Sequence, residues 1–469
     1  MVERQSPHPA YKPSSLEWLG DVPAHWEVRR LRNLVEMRAS NVDKHVRDDE
    51  ESVRLCNYVD VYKHERIGPD IDFMPATATA DEIDRFKLVT GDVLITKDSE
   101  DWTDIGVPAV VEGAPNDVLC GYHLALLRPH AGTIGARFLL RALQTKAVAS
   151  QFHVRANGVT RYGLSHDAIK STWLPVPPPS EQVAIAQFLD HANSRIDRYI
   201  SVKKRLIALL EEQKRAIVHE AVMGRVEVRT GKPYETYKPS GIQWLGDVPA
   251  HWDVRPAKWH LREVDERSVT GAEEMLSVSH LTGVTPRSEK SVTMFKAESN
   301  IGHKLCEPGD LVINTMWAWM GALGIAQQPR LVSPSYAVYR PKIDSSLDRR
   351  YAEMMLRSVP LQCEYIMRST GIRPSRLRLY PDTFLRIRLI APPPEEQSAI
   401  IAFVASEMAR CDRASRLMTK EIAALQEYRA RLVADVITGK LNVRQAAADL
   451  DEVRVKNVLE HEPKLLRNA

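Results

Sequence analysis

Residues 11–29 read YKPSSLEWLGDVPAHWEVR, and residues 237–255 read YKPSGIQWLGDVPAHWDVR. The two stretches differ at four of 19 positions: Ser15/Gly241, Leu16/Ile242, Glu17/Gln243 and Glu27/Asp253. A second pair lies beyond each block, LPVPPPSEQVAIAQF at 174–188 and LIAPPPEEQSAIIAF at 389–403. A third pair, VMGRVEVR at 222–229 and ITGKLNVR at 437–444, keeps the same offset of 215. The chain is therefore a tandem duplication with half-repeats of about 215–225 residues.

Between these blocks the halves diverge. Residues 30–173 and 256–388 share only sparse landmarks: GDVLIT at 91–96 beside GDLVIN at 309–314, LLRP at 126–129 beside VYRP at 338–341, and ANGVTR at 156–161 beside STGIRP at 369–374. Landmarks in one order imply a common frame under two different surfaces, which suits binding to two different targets. Strands are predicted at 92–96, 123–128, 310–314 and 336–340, and helices at 136–152 and 347–358. The middles thus read as mixed α/β.

Each Pro-Pro-Pro, at 177–179 and 392–394, is a stiff connector that cannot continue a helix. Glu181 and Glu396 then fall in a first helical turn, where a carboxylate suits the positive end of the dipole. From there a seam steps by 4 and 3 through Ile185, Leu189, Ala192, Ile196, Tyr199, Lys203, Leu206, Leu210, Gln213 and Ile217. The second copy steps through Ile400, Val404, Glu407, Cys411, Ala414, Met418, Glu421, Leu425, Tyr428 and Leu432. Gly224 and Gly439 stop the two helices. A period of 3.5 kept over five heptads predicts that they pair as a coiled coil, a spacer between globular domains.

The domain boundaries expected are 1–179 and 236–394 for the globular parts, 180–235 and 395–445 for the helices, and a charged tail at 446–469. Of 469 residues 44% are hydrophobic and 27% charged, which excludes disordered and collagen-like chains. Lys plus Arg is 64 and Asp plus Glu is 61, so a nucleic-acid surface must come from local clustering. The scattered cysteines Cys56, Cys120, Cys306, Cys363 and Cys411 suggest neither a disulfide frame nor a zinc site. Leu311 to Pro329 is uncharged, but its Asn314, Thr315, glycines and glutamines favour a buried strand and loop over a membrane span. No signal peptide is read in residues 1–30, and a cytoplasmic location is expected.

No catalytic signature is found. The Asn-Pro-Pro and Asp-Pro-Pro tetrapeptides of amino-methyltransferases do not occur, and TGKP at 230–233 and TGKL at 438–441 lack the rest of a Walker loop. His and Cys show no metal-ligand spacing, so no metal is expected. Local basic clustering is strongest between Arg368 and Arg388, with arginines also at 373, 376, 378 and 386 against the single acid Asp382. The first copy offers Arg155, Arg161 and Lys170 in its place. Arginine beside glycine suits DNA: glycine lets the backbone approach and arginine forks onto guanine or phosphate. Lys97 and Asn314 follow matched strands, where a polar side chain could reach a base edge. Trp18, Trp26, Trp244 and Trp252 are read as anchors that pack on each domain's core.

With these residues quoted, the chain resembles the specificity subunit of type I restriction-modification systems, the HsdS family, over about residues 11–445. The repeated WLGDVPAHW block, the PPPSEQ and PPPEEQ helix starts, and the GRVEVR and GKLNVR helix ends carry the resemblance. NTMWAWMGALGIAQQPRLVSPSYAVYRP at 314–341 is similar to one class of target recognition domain. The resemblance implies two such domains, each reading one half of a split DNA site, with the helices antiparallel as a spacer. It implies a non-catalytic chain with no bound cofactor, which joins two methyltransferase subunits using S-adenosylmethionine and two ATP- and Mg-dependent restriction subunits. The residues carried over for DNA binding are Lys97, Arg155, Gly158, Arg161, Asn314, Gly371, Arg373, Arg376 and Arg378. The first copy has Asp98, Glu100, Asp101 and Asp104 after its strand, which would repel phosphate. The alternative is a non-catalytic protein-binding scaffold or an orphan specificity subunit.

Overall fold

The computed structural model describes residues 7–289, 299–372 and 377–450. The described residues form two compact units: one joins residues 7–202 with 420–450, and the other lies within Lys203–Thr419.

The main sheet of the first unit has the strand order Val35–Ala39, Leu124–Pro129, Val93–Thr96, Pro108–Val111, Arg66–Ile67. In the second unit, Leu261–Val264, Tyr336–Pro341, Leu311–Asn314 and Leu323–Ile325 repeat the first four places of that order. The two sheets share one frame despite their unlike sequences. The observed strands match the predicted ones to within a residue at each end. The helix expected at 136–152 is instead two, Ala136–Leu143 and Lys146–His153, because the Thr145 hydroxyl caps a fresh start by accepting from the Val148 amide.

The sparse landmarks have a physical cause. Asp92 of GDVLIT is fully buried, and Arg128 of LLRP forks onto it with Nε and Nη2 each 2.8 Å from a carboxylate oxygen. Arg340 grips buried Asp310 in the same way at 2.9 Å. Each carboxylate also accepts a backbone N–H, from Val89 and Glu307 respectively. A buried carboxylate needs such partners, so Asp and Arg persist in both copies where the surface has drifted.

The PPPxEQ blocks do similar work. The Gln182 carboxamide accepts from the Gly135 amide at 2.7 Å and donates to the Thr133 and Pro177 carbonyls. Gln397 accepts from the Asp348 amide at 2.6 Å and donates to the Ser346 and Pro392 carbonyls. Each buried amide ties the first turn of a long helix to the N-terminus of a domain helix, Ala136–Leu143 or Arg349–Leu356.

The long helices span Pro179–Val222 and Pro394–Ile437. Gly224 and Gly439 follow them at φ of +68° and +76°, values that favour glycine. A Cβ on Gly439 would sit 2.3 Å from Pro23 and 3.2 Å from Trp26, and one on Gly224 would sit 2.5 Å from Pro249 and 2.9 Å from Trp252. The first repeat block therefore receives the end of the second helix, and the second block receives the end of the first. Trp26 and Trp252 are fully buried, as anchors should be, whereas Trp18 and Trp244 are exposed and anchor nothing in the core.

Within each unit the helix segments pack antiparallel. Asp197 pairs with Arg429 in the first unit at 2.6 Å, and Lys214 with Asp412 in the second at 2.7 Å. The second helix keeps the predicted seam, with Ile400, Val404, Cys411 and Leu432 buried and Met418 and Leu425 half-buried; only Tyr428 yields its place to Arg429. In the first helix, Ile185, Leu189 and Ile196 are buried, and Leu210 and Ile217 half-buried, as expected. Its alternate positions are corrected: Asn193, Ile200, Ile207 and Lys214 turn inward, and Tyr199, Leu206 and Gln213 face solvent.

This phase predicts a contrast. Leu189→Ala should cost about 2–5 kcal/mol, because it leaves a cavity in a packed core. Leu206→Ala, at a site 41% exposed, should cost less than about 1 kcal/mol. Denaturant unfolding of the two variants checks the assignment, and equal losses would restore Leu206 to the seam.

Candidate nucleic-acid interface

In the first unit Gly158 and Arg161 lie on one short hairpin. Asn157–Gly158 pairs with Tyr162–Gly163, which in turn pairs with Asp98–Ser99 just beyond the strand that ends at Thr96. Gly158 has φ of +153°, and a Cβ there would meet the Arg161 carbonyl oxygen at 1.9 Å. The turn is therefore closed to any other residue.

This pairing brings Lys97 and Arg161 into one cluster. Lys97 Nζ donates to Asp98 at 2.6 Å, and the same carboxylate oxygen lies 2.9 Å from His123 Nδ1. With Nδ1 protonated toward Asp98, His123 Nε2 accepts from the Arg161 guanidinium at 2.8 Å. A lysine, a carboxylate, an imidazole and an exposed arginine thus form a chain that ends at the hairpin. His123 is not legible as a site residue in the sequence, since nothing local in GYHL marks it. Arg155 lies elsewhere: its guanidinium donates to Ser171 Oγ at 2.7 Å and so helps close the end of the helix His166–Lys170.

The second unit repeats the frame with different side chains. The Leu379 amide donates to the Thr315 carbonyl at 2.9 Å, as the Leu164 amide does to that of Lys97 at 2.8 Å. The counterpart of Lys97 is therefore Thr315. Asn314 corresponds to buried Thr96; it is itself buried, and its side-chain amide is engaged by the Tyr336 hydroxyl and the Met316 amide. The expected outward reach of Asn314 is thus replaced by a role inside the loop. Thr370 and Arg378 pair through both backbone hydrogen bonds and enclose Gly371, with Arg378 exposed. Arg373 and Arg376 lie outside the described residues.

Both hairpins also present an apolar tip. Val159 is 91% exposed and Ile372 fully so, each one residue after the glycine. A lone exposed β-branched residue costs little, but in sequence each is within two residues of an arginine, and an apolar contact of that size fits a thymine methyl or a base step. Trp317 is half-exposed and stacks on Trp319 at 6.2 Å between ring centroids, and Trp102 holds a comparable place in the first unit, edge-on to His153. Asp101 is spent on capping Thr103.

Burial alone would raise the Asp98 carboxyl, but the hydrogen bonds from Lys97 and His123 and the positive charge of Lys97 outweigh it and hold the carboxyl below the usual range. A carboxyl depressed in the folded state adds stability above its unfolded value near 4, and that stability is lost as pH falls through the lower folded value. The wild-type advantage over Asp98→Asn should therefore be complete at neutral pH and shrink in acid below about pH 4. Unfolding free energies across that range check it; an advantage growing in acid would refute the relay.

Comparison with known proteins agrees with this frame. Residues 23–212 match the family model described as type I restriction modification DNA specificity domain. A putative type I restriction enzyme MjaX specificity subunit of Methanocaldococcus jannaschii is 26% identical over 253 residues. That match takes in 50% of this chain and 52% of the relative, so the chain spans about half the length of the curated protein it matches. A chain solved in work on complex assembly and conformational transition of the type I R-M system has TM-score 0.62 and 16% identity, covering 90% of this chain and 99% of that one. The crystal structure of the HsdS subunit from Thermoanaerobacter tengcongensis gives 0.52 and 17%, covering 90% and 98%. At these identities the two structures show that the fold is shared.

Proposed function

We propose, from the premise that the first repeat carries a type I restriction modification DNA specificity domain, that this chain is the DNA sequence-specificity subunit of such a system. Each α/β domain reads one half of a bipartite site in double-stranded DNA. The observation that carries the reading is the repeated glycine-bearing segment: Gly158 in a paired hairpin of the first unit and Gly371 beside the Thr370–Arg378 bridge of the second, with different exposed residues, Val159 and Ile372, after each glycine. In the first domain Arg161 and Val159 meet the DNA, steadied by Lys97 through His123 and Asp98. In the second, Gly371, Ile372, Arg378 and the arginines at 373 and 376 do so.

The reading assigns chemistry to other chains. Two methyltransferase subunits supply S-adenosylmethionine chemistry, and two restriction subunits supply ATP hydrolysis with Mg. Helices of 44 residues, about 66 Å at 1.5 Å per residue, support a spacer role for the long helices. Such a complex works beside DNA in the cytoplasm.

The test is a genome-wide map of N6-methyladenine in the source strain with and without the gene. A split motif that disappears on deletion is expected, and an unchanged methylome in cells expressing the protein would reject the function. In the same assay Arg161→Ala should relax or lose one half-sequence and leave the other intact. Loss of a good base contact costs about 1–3 kcal/mol, roughly ten- to a hundredfold in occupancy. Inserting four residues after Leu206 should change the gap between the halves, or abolish modification, without altering either half-sequence. A changed half-sequence would reject the spacer assignment.

A further inference from the structure

The internal repeat serves as a control on itself, and one place breaks the match. In the second copy Glu396, in the first turn of the second long helix, is surrounded by donors. His251 Nε2 lies 2.7 Å away, the Trp252 indole N–H donates at 2.9 Å and the Tyr234 hydroxyl at 3.3 Å. Its counterpart in the first copy is Glu181, with His25 at 2.7 Å in the place of His251. Tyr234, however, is replaced by His8 at the corresponding position.

That replacement leaves the carboxylate short of donors. His8 Nε2 stands 3.8 Å from Glu181 Oε1, too far for a hydrogen bond, and the Trp26 indole N–H has no partner. The side chains of His8 and Glu181 are 1% and 5% exposed, so bulk solvent does not reach them. The His8 imidazole thus faces a buried carboxylate across a gap. One ligand atom from each of His8, His25 and Glu181 lies within 4.8 Å of the others, the only such group among the described residues.

We propose that His8, His25 and Glu181 bind a divalent transition-metal ion of the zinc class. Bond lengths of about 2.0–2.2 Å from nitrogen and oxygen let a single ion bridge a 3.8 Å separation. Two imidazoles select zinc-like ions over magnesium or calcium, and three protein ligands leave a fourth position for water or a partner's side chain. The His25–Glu181 hydrogen bond opens to admit the ion. The ion would join three segments distant in sequence: the stretch before the first repeat block, the end of that block, and the start of the first long helix. This site is separate from the hairpins, so its test does not depend on the DNA-binding reading.

The test uses the full chain after chelator treatment, titrated with Zn2+ by calorimetry and followed by thermal melting. Co2+ absorption spectra report the ligand set. His8→Tyr installs the residue that the second copy already accommodates, so the metal-free variant should melt like the metal-free wild type. Wild type should bind one Zn2+ with a rise in melting temperature and a Co2+ spectrum free of thiolate charge transfer. His8→Tyr should lose at least about tenfold in affinity, together with the stabilisation. His25→Gln, which keeps a side chain able to donate to Glu181, should lose them too and carries the test if His8→Tyr fails to fold. Absence of Zn2+ binding by wild type, or equal binding by wild type and both variants, would overturn the proposal.

Discussion

Two buried glutamines hold this architecture together. Gln182 and Gln397 each satisfy one backbone N–H and two carbonyls with a single carboxamide, at the point where a long helix leaves its domain. Unpaired, each of those backbone groups would carry a desolvation cost of about 1–3 kcal/mol. The clamp fixes where the helix starts, and the prolines before it fix how the chain arrives. The remainder of each domain is free to vary only where neither clamp nor core is involved. The two unlike hairpins occupy such freedom.

The sequence conveyed the frame well because its determinants are local or repeated. Asp92 and Asp310 match without any knowledge of their burial, and the strands after them fall where expected. The seam of the first helix is less legible for a physical reason. Tyr199 and Ile200, Leu206 and Ile207, and Leu209 and Leu210 put apolar side chains on two adjacent faces. Period alone cannot choose between them; the choice falls to packing against the other helix. The second helix carries a single stripe, and its phase is plain.

The candidate interface is legible in part. Glycine two or three residues before an arginine marks both segments, and only glycine fits the turn at Gly158. The relay behind Arg161 is hidden, since Lys97, His123 and Arg161 come from three segments joined only by sheet pairing. Asn314 misleads for a related reason: a polar residue ending a strand can turn inward as readily as out. Val159 and Ile372 read as ordinary loop residues, and only their exposure singles them out.

The exchange of helix ends between the repeat blocks sets the order in which the chain can fold. The core of the first unit includes Leu432, Val433, Val436, Ile437, Val443 and Ala447 beside Trp26 and Leu189. The second unit, Lys203–Thr419, is continuous in sequence. On the ribosome the later unit is therefore complete first, and the earlier one waits for the last part of the second helix. At about 5–20 residues per second the delay is on the order of tens of seconds. Through that interval the part of the Ile185, Leu189 and Trp26 core that the second helix covers stays open in a nascent chain, and selection on this protein must act on what shields it during synthesis as well as on what it finally touches.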